Sequence, residues 1–196
     1  MNRLDQVLQS HFPTVLVPRY EPLAALQETG DRFLLGARAL KLEISRPWLH
    51  AVVALSAGDW ERDLPYGDAP EDEFTLRCGV IPRGLIEAFE ARAAASCPNE
   101  VGAWIVWSET TREFSMIDLP TISHGPSHLN YDRPTLETNS WLIADLHSHG
   151  RGPAFFSSTD DRDDAGAVKL AMVAGRCDGA VQWCMRAELL GVRVRI

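Results

Sequence analysis

A chain of 196 residues, 45% hydrophobic and 23% charged, has the composition of an ordinary globular protein and the length to bury a proper core. Its net charge of −8 argues against a polyanion partner, because nucleic-acid binding relies on Lys and Arg neutralising phosphates. No stretch approaches the ~20 apolar residues of a membrane span, MNRLDQVLQSHFP is too polar for a secretory signal, and the four cysteines form no CxxC pair, so a cytoplasmic protein without nucleic-acid or membrane partners is expected.

Residues 1–10 read as a short amphipathic helix with Leu4, Val7 and Leu8 on one side. FPTVLVP, RFLLGARALKLEI and WLHAVVALS are rich in branched residues, are separated by Pro and Gly, and read as strands. GDWERDLPYGDAPEDE is acidic and turn-rich, a loop or a boundary. Residues 1–78 are therefore taken as an N-terminal β-rich region of unknown role, and residues 79–196 as the domain that carries the chemistry. The pattern leaves open whether the first region folds alone or completes the next sheet.

From Pro82 the periodicity changes. RGLIEAFEARAAAS places Leu85, Ile86, Phe89 and Ala93 at helical spacing, and the proline of CPN stops it. EVGAWIVWS and REFSMIDLP read as two strands joined by the polar ETT turn. TISHGPSHLNYDRPTLETN is polar and contains proline, and reads as a surface loop. SWLIADLHSH is the next strand, SSTDDRDDAGAVKLAMVAG begins as a helix, and GAVQWCMRAELLGVRVRI is a strand pair turning near Leu190–Gly191.

The stretch DLHSHGRGPAFFSSTDD, from Asp145 to Asp161, concentrates the candidate chemistry. Alternate side chains of a strand share a face, so His147 and His149 project side by side and offer two imidazole nitrogens to one ion. Ser157, Ser158 and Thr159 are good N-cap residues, and the acids behind them suit the positive end of a helix. Asp160 then lies in the first turn, aimed back at the strand end. Two imidazoles and one carboxylate make a three-ligand zinc site with the fourth position open to water, the arrangement of a catalytic rather than a structural zinc. Such a zinc lowers the pKa of its water toward ~7.

The spacing HxHx7SxxD, read as His147, His149, Ser157 and Asp160, resembles the signature of the JAMM, or MPN-plus (Mov34/JAB), zinc metallopeptidases. The resemblance covers residues 80–196, in the order helix, Glu strand, hairpin, HxH strand, Asp helix. It implies an α/β fold: a JAMM/MPN-like (cytidine-deaminase-like) mixed curved β-sheet flanked by helices, here with an N-terminal β-rich extension. It implies one Zn2+ per chain on His147, His149 and Asp160, with Ser157 helping to hold the tetrahedral intermediate. In the family a glutamate on the strand after the first helix holds and deprotonates the water. CPNEVGAWIVW matches that element, which makes Glu100 the candidate base, with Glu109 and Glu113 as competitors. Ser158 and Asp161 repeat the SxxD spacing one residue later; the family spacing favours Ser157 and Asp160.

Three departures stand out: Gly150 where many members have proline, Trp104 and Trp107 where many have a Gly-rich turn, and no cysteine in GRGPAFF. None removes a metal ligand, but together they speak against eukaryotic-type ubiquitin specificity. A narrower resemblance links the chain to the JAMM-like proteins of bacterial PRTRC systems, which carry an amino-terminal extension and whose cassette also encodes ubiquitin-like and E1-like proteins. The resemblance thus implies a zinc peptidase or isopeptidase acting at the extended carboxy-terminal tail of a protein substrate, of the ubiquitin-like kind. The alternative is the same fold as a non-catalytic protein-binding scaffold. ADLHSHG also resembles the first metal-binding strand of amidohydrolase-type barrels, but too few residues follow His149, none of them histidine, for a barrel of ~250 residues.

Asp145 shares the face of the two histidines and reads either as an acceptor that orients a ligand or as a solvated strand end. His124 and His128 are read as loop polarity, Phe155 and Phe156 as candidate walls of a substrate groove, most of the six tryptophans as core, and DDRDD as a solvated helix start.

Overall fold

Alternation of branched and polar residues sets the strands of the N-terminal unit. In the computed structural model, which describes residues 2–57 and 62–196, the chain divides into two compact units, Met1–Gly79 and Val80–Ile196. Met1 of the expected first helix, and residues 58–61 of the acidic loop with Trp60, lie outside the described residues.

The first unit holds α1 (Arg3–His11) and a five-stranded sheet of β1 (Thr14–Leu16), β2 (Gly30–Leu35), β3 (Ala39–Arg46), β4 (Leu49–Ala57) and β5 (Glu73–Leu76) in sequential order. β1 runs parallel to β2, and the others form an antiparallel meander. RFLLGARALKLEI is two strands rather than one. The chain reverses after Gly36, whose N–H donates to the Ala39 carbonyl and where a Cβ would lie 2.7 Å from the Ala69 nitrogen. β5 sits at the end of the stretch read as a loop. Leu42 and Ile44 are buried on one face of β3; on the other, Glu43 is buried too and pairs with Arg32, directly opposite on β2, at 2.6 Å. Burial of that carboxylate is tolerable because it is paired and also faces His50 Nε2 at 3.1 Å. α1 is capped by Asn2, whose side chain accepts from the Leu4 N–H, and none of its residues is buried.

The second unit is built on a six-stranded sheet. Its strands are β6 (Gly102–Ser108), β7 (Phe114–Asp118), β10 (Ser140–Ser148), β11 (Val168–Gly175), β12 (Gln182–Leu189) and β13 (Val192–Arg195), in the order β13-β12-β11-β10-β6-β7. The region read as a polar surface loop contains a separate hairpin, β8 (Thr121–Gly125) with β9 (His128–Tyr131). VKLAMVAG, which follows the short helix α3 (Ser158–Asp163), is strand β11. β10 and β11 pair in parallel, so the segment between them must cross over, and α3 lies in that crossover. The last turn falls at Leu190 and Gly191, both at positive φ, as a two-residue hairpin requires.

The sheet's two faces differ. Trp107, Ile105, Ala144, Leu146 and Ala174 are fully buried on one. Near it α2 (Arg83–Ser96) buries Phe89 and Ala93 and sets Phe89 5.8 Å from the Trp183 ring. Two buried ring nitrogens, Trp104 Nε1 and Trp107 Nε1, have no hydrogen-bond partner; Trp104 packs with Val106 and Leu119, and the Arg112 guanidinium lies 4.7 Å from the Trp107 ring. The opposite face carries Asp145, His147, Lys169 and Arg186, joined in register across β10, β11 and β12. On β10 a bulge at Ile143 shifts the alternation against β6 and sets Asp145 and His147 on this face. No helix among the described residues is long and apolar enough to cross a membrane.

Gly150 explains its own identity. It adopts φ +52, and a Cβ there would lie 2.1 Å from the Pro98 carbonyl oxygen; proline, locked near −65°, is incompatible with that backbone. Gly150→Ala is expected to lower stability by about 3 kcal/mol or more, from the left-handed backbone plus the clash. Gly84→Ala, in α2 with nothing within 4 Å of the added Cβ, should be neutral or stabilise by about 0.5 kcal/mol. Denaturant unfolding of both variants tests the contrast.

Candidate metal centre

His147 and His149 lie at the end of β10 on the polar face. Gly102, opposite His147 on β6, leaves room beside the imidazole that Leu119 and Leu129 fill; a Cβ would approach their methyls to 2.6 and 2.9 Å. His149 lies one residue past β10, and its N–H donates to the Ala174 carbonyl of β11 at 2.8 Å. Its Nδ1 lies 3.1 Å from the Pro153 carbonyl. A carbonyl only accepts, so Nδ1 carries a proton, and Nε2 is the nitrogen left to offer a lone pair to an ion. The two Nε2 atoms are 3.3 Å apart. Desolvation pushes the His147 imidazole below its ordinary value, against the opposing pull of Asp160, which favours its neutral form.

Asp160 reaches this pair through a capping box. The Ser157 hydroxyl oxygen accepts the Asp160 N–H at 3.2 Å, and Asp160 Oδ2 accepts the Ser157 N–H at 2.6 Å. One carboxylate oxygen is thereby fixed to the backbone and the other, Oδ1, stands 3.5 Å from His147 Nε2. Ligand atoms of His147, His149 and Asp160 all lie within 4.8 Å of one another. Asp161, of the alternative spacing, points elsewhere and is held by Arg186 at 2.6 Å. The Ser157 hydroxyl keeps its own proton free to donate into the groove.

α3 has no buried residue, so charge holds it to the sheet. Asp164 receives Lys169 at 2.7 Å and Arg186 at 2.8 Å. Lys169 also bonds Asp145 at 2.6 Å, so this half-buried carboxylate is paired with an ammonium rather than with a ligand histidine. Arg186 Nε lies 2.5 Å from the fully buried Glu188, an ion pair without hydrogen-bond alignment, and the guanidinium stacks 3.8 Å from the Phe156 ring. Sequence reasoning passed over Lys169, Arg186 and Glu188. Their signal was present: single charges inside the apolar runs VKLAMVAG and CMRAEL must be paired if those runs are buried strands.

His147, His149, Ser157, Asp160 and Lys169 line a groove of about 410 Å³ together with Glu100, His128, Tyr131 and Phe155. Phe155 stands edge-on to His149 at 4.6 Å; Phe156 does not line the groove and lies under Arg186. Glu100 is 8% exposed, and burial, then the charge of Asp160, pushes its carboxyl up to about 7. Burial likewise pushes the Tyr131 phenol up to about 12. Of the competing glutamates, Glu109 lies past the far end of β6 and accepts the Trp141 indole N–H at 3.1 Å, and neither it nor Glu113 lines the groove. His128 packs on Gly125, and His124 Nδ1 donates to the Glu100 carbonyl at 2.8 Å.

A carboxyl with a folded pKa near 7 and an ordinary value of 4.5 favours the folded state below about pH 4.5 and loses that contribution as pH rises through 7. In the metal-free protein, Glu100→Gln should therefore remove a decline in stability on the order of 2–3 kcal/mol between pH 4.5 and 8. Unfolding of both proteins in chelator across that range reads the effect; parallel curves would contradict it.

Residues 82–187 match the family model described as prokaryotic homologs of the JAB domain, and residues 2–77 match one described as a domain of unknown function, DUF2016. No curated protein matches the chain. The first match spans more than half of the chain and contains the HxH strand, α3 and Glu100: the protein belongs to the prokaryotic JAB-domain family, within the JAMM/MPN-like superfamily.

Proposed function

We propose that the protein is a zinc-dependent metallopeptidase of JAMM type, hydrolysing a peptide or isopeptide bond at the extended carboxy-terminal tail of a protein substrate of the ubiquitin-like kind. The observation that carries this reading is the convergence of His147, His149 and Asp160, with two imidazole nitrogens facing a backbone-anchored carboxylate. The fit to zinc is one of spacing and donor type. Ligands ~2.0–2.2 Å from a tetrahedral ion stand roughly 3.3–3.5 Å apart; His147 Nε2 lies 3.3 Å from His149 Nε2 and 3.5 Å from Asp160 Oδ1. Outer support is present as well, in the His149 Nδ1–Pro153 bond and the Ser157 cap.

Zinc held by these three side chains supplies a Lewis acid and makes water acidic enough to lose a proton near neutral pH. Glu100, buried on the groove wall, takes that proton on its carboxylate and gives it up to the leaving amine. Ser157 donates its hydroxyl hydrogen toward the developing oxyanion, while the capping bond from the Asp160 N–H holds its oxygen still. Phe155 covers one side of His149 and keeps bulk water from that flank. A tail lying along the groove would pass between this wall and the β8–β9 hairpin, whose Ser127, His128 and Leu129 line it.

Purified protein should hold about one zinc per chain, and His147→Ala should lose it. Glu100→Gln should keep the metal but lose on the order of 10²–10⁴-fold in turnover, and chelation should abolish hydrolysis reversibly. Zinc retention with undiminished turnover in Glu100→Gln would show that another group is the base. Zinc without hydrolysis of any protein tail would favour the scaffold.

A further inference from the structure

Glu100 and Val101 precede β6, outside its regular pairing, yet each of their backbone polar groups has a defined partner. The Glu100 N–H donates to the Gly125 carbonyl at 2.9 Å, and the Glu100 carbonyl accepts from His124 Nδ1 at 2.8 Å. The Val101 carbonyl accepts the Ser148 N–H at 2.9 Å, and the Val101 N–H donates to the Ser148 hydroxyl oxygen at 3.0 Å. Residues that face each other in a hydrogen-bonded antiparallel pair normally exchange two backbone N–H···O=C bonds. Here the Ser148 hydroxyl takes the place of its carbonyl. β10 can then leave the ladder toward Gly150 while the Val101 amide stays bonded. Ser148 is fully buried and stands between the two histidines.

We infer that Ser148 and His124 are positioning residues that clamp the Glu100–Val101 peptide from two sides and set where the Glu100 carboxylate stands relative to His147 and His149. The inference rests on the reading of Glu100 as proton acceptor. Ser148 couples the base directly to the HxH strand, so the middle residue of that motif has a task of its own. His124 couples the base to the hairpin, the other wall of the groove. Its ring must carry the proton on Nδ1, because the Glu100 carbonyl only accepts.

The test uses the full-length, zinc-loaded chain with Ser148→Ala, His124→Leu, His124→Asn, whose side-chain amide replaces the Nδ1–H, and Glu100→Gln as reference. Turnover is measured on the aminocoumarin amide of a ubiquitin-like protein. Zinc content, the unfolding midpoint, amide exchange at Val101 and the carbon-13 shift of the Glu100 carboxyl are followed in parallel. Ser148→Ala and His124→Leu should keep one zinc and a folded chain and lower kcat about 10- to 100-fold, with KM within about twofold. The Glu100 carboxyl shift should move in both, Val101 exchange should quicken in Ser148→Ala, and His124→Asn should restore most of the rate.

Wild-type kcat in Ser148→Ala while Glu100→Gln is inactive overturns the clamp alone. Full activity in Glu100→Gln overturns instead the base assignment beneath it. Loss of zinc or of the fold along with the rate would make Ser148 merely structural and also overturn the inference. An unmoved Glu100 carboxyl shift in both variants does the same without any substrate.

Discussion

Asp164 receives Lys169 at 2.7 Å and Arg186 at 2.8 Å, and these ion pairs hold a six-residue helix that has no buried residue of its own. Hydrophobic packing fixes most helices; α3 is instead fixed by charge on a largely desolvated sheet face. Lys169 and Arg186 are each less than a tenth exposed and Asp164 is likewise buried, so no member can be removed without stranding its partners. The arrangement gives direction as well as strength: guanidinium and ammonium donors accept only certain approaches, and α3 docks with its N-terminus toward the histidines. Asp160 owes its place to this ladder at one end and to the capping box at the other.

The second consequence concerns protons. The groove gathers two imidazoles and a buried carboxyl around one acidic anchor. His149 is held at Nδ1 by the Pro153 carbonyl, the His147 imidazole is pushed below its ordinary value by desolvation, and Glu100 holds its proton to about 7. Burial is the shared cause at His147 and Glu100; the charge of Asp160 reinforces it at Glu100 and opposes it at His147. The same cause raises Tyr131. A divalent cation among the lone pairs would relieve much of that cost, which is why the geometry reads as a site for one.

The N-terminal unit meets a similar problem by pairing its charges. Arg32, Glu43 and His50 line one face of its meander, and Glu43 is satisfied by an arginine on one oxygen and a histidine on the other. Its buried charges are closed among themselves, whereas the second unit lines a groove with His147, His149, Ser157 and Asp160.

The amino-acid order by itself determined the elements with strong local signals: α2 from its periodicity and its terminating proline, β10 from an apolar run ending in HSH, the last hairpin from Leu190–Gly191, and the four residues of HxHx7SxxD that share the groove. These are short-range facts, set by side-chain period and turn chemistry. Only the tertiary structure decided the rest. The β8–β9 hairpin was illegible because its strands are short, polar and interrupted by Gly125–Pro126. β11 was hidden because Lys169 interrupts its apolar run, and a buried lysine makes sense only once Asp145 and Asp164 converge on it from other elements. The place of Glu100 depends on Ser148 and His124, both distant from it along the chain; such bonds are fixed by register between strands, which no local pattern encodes.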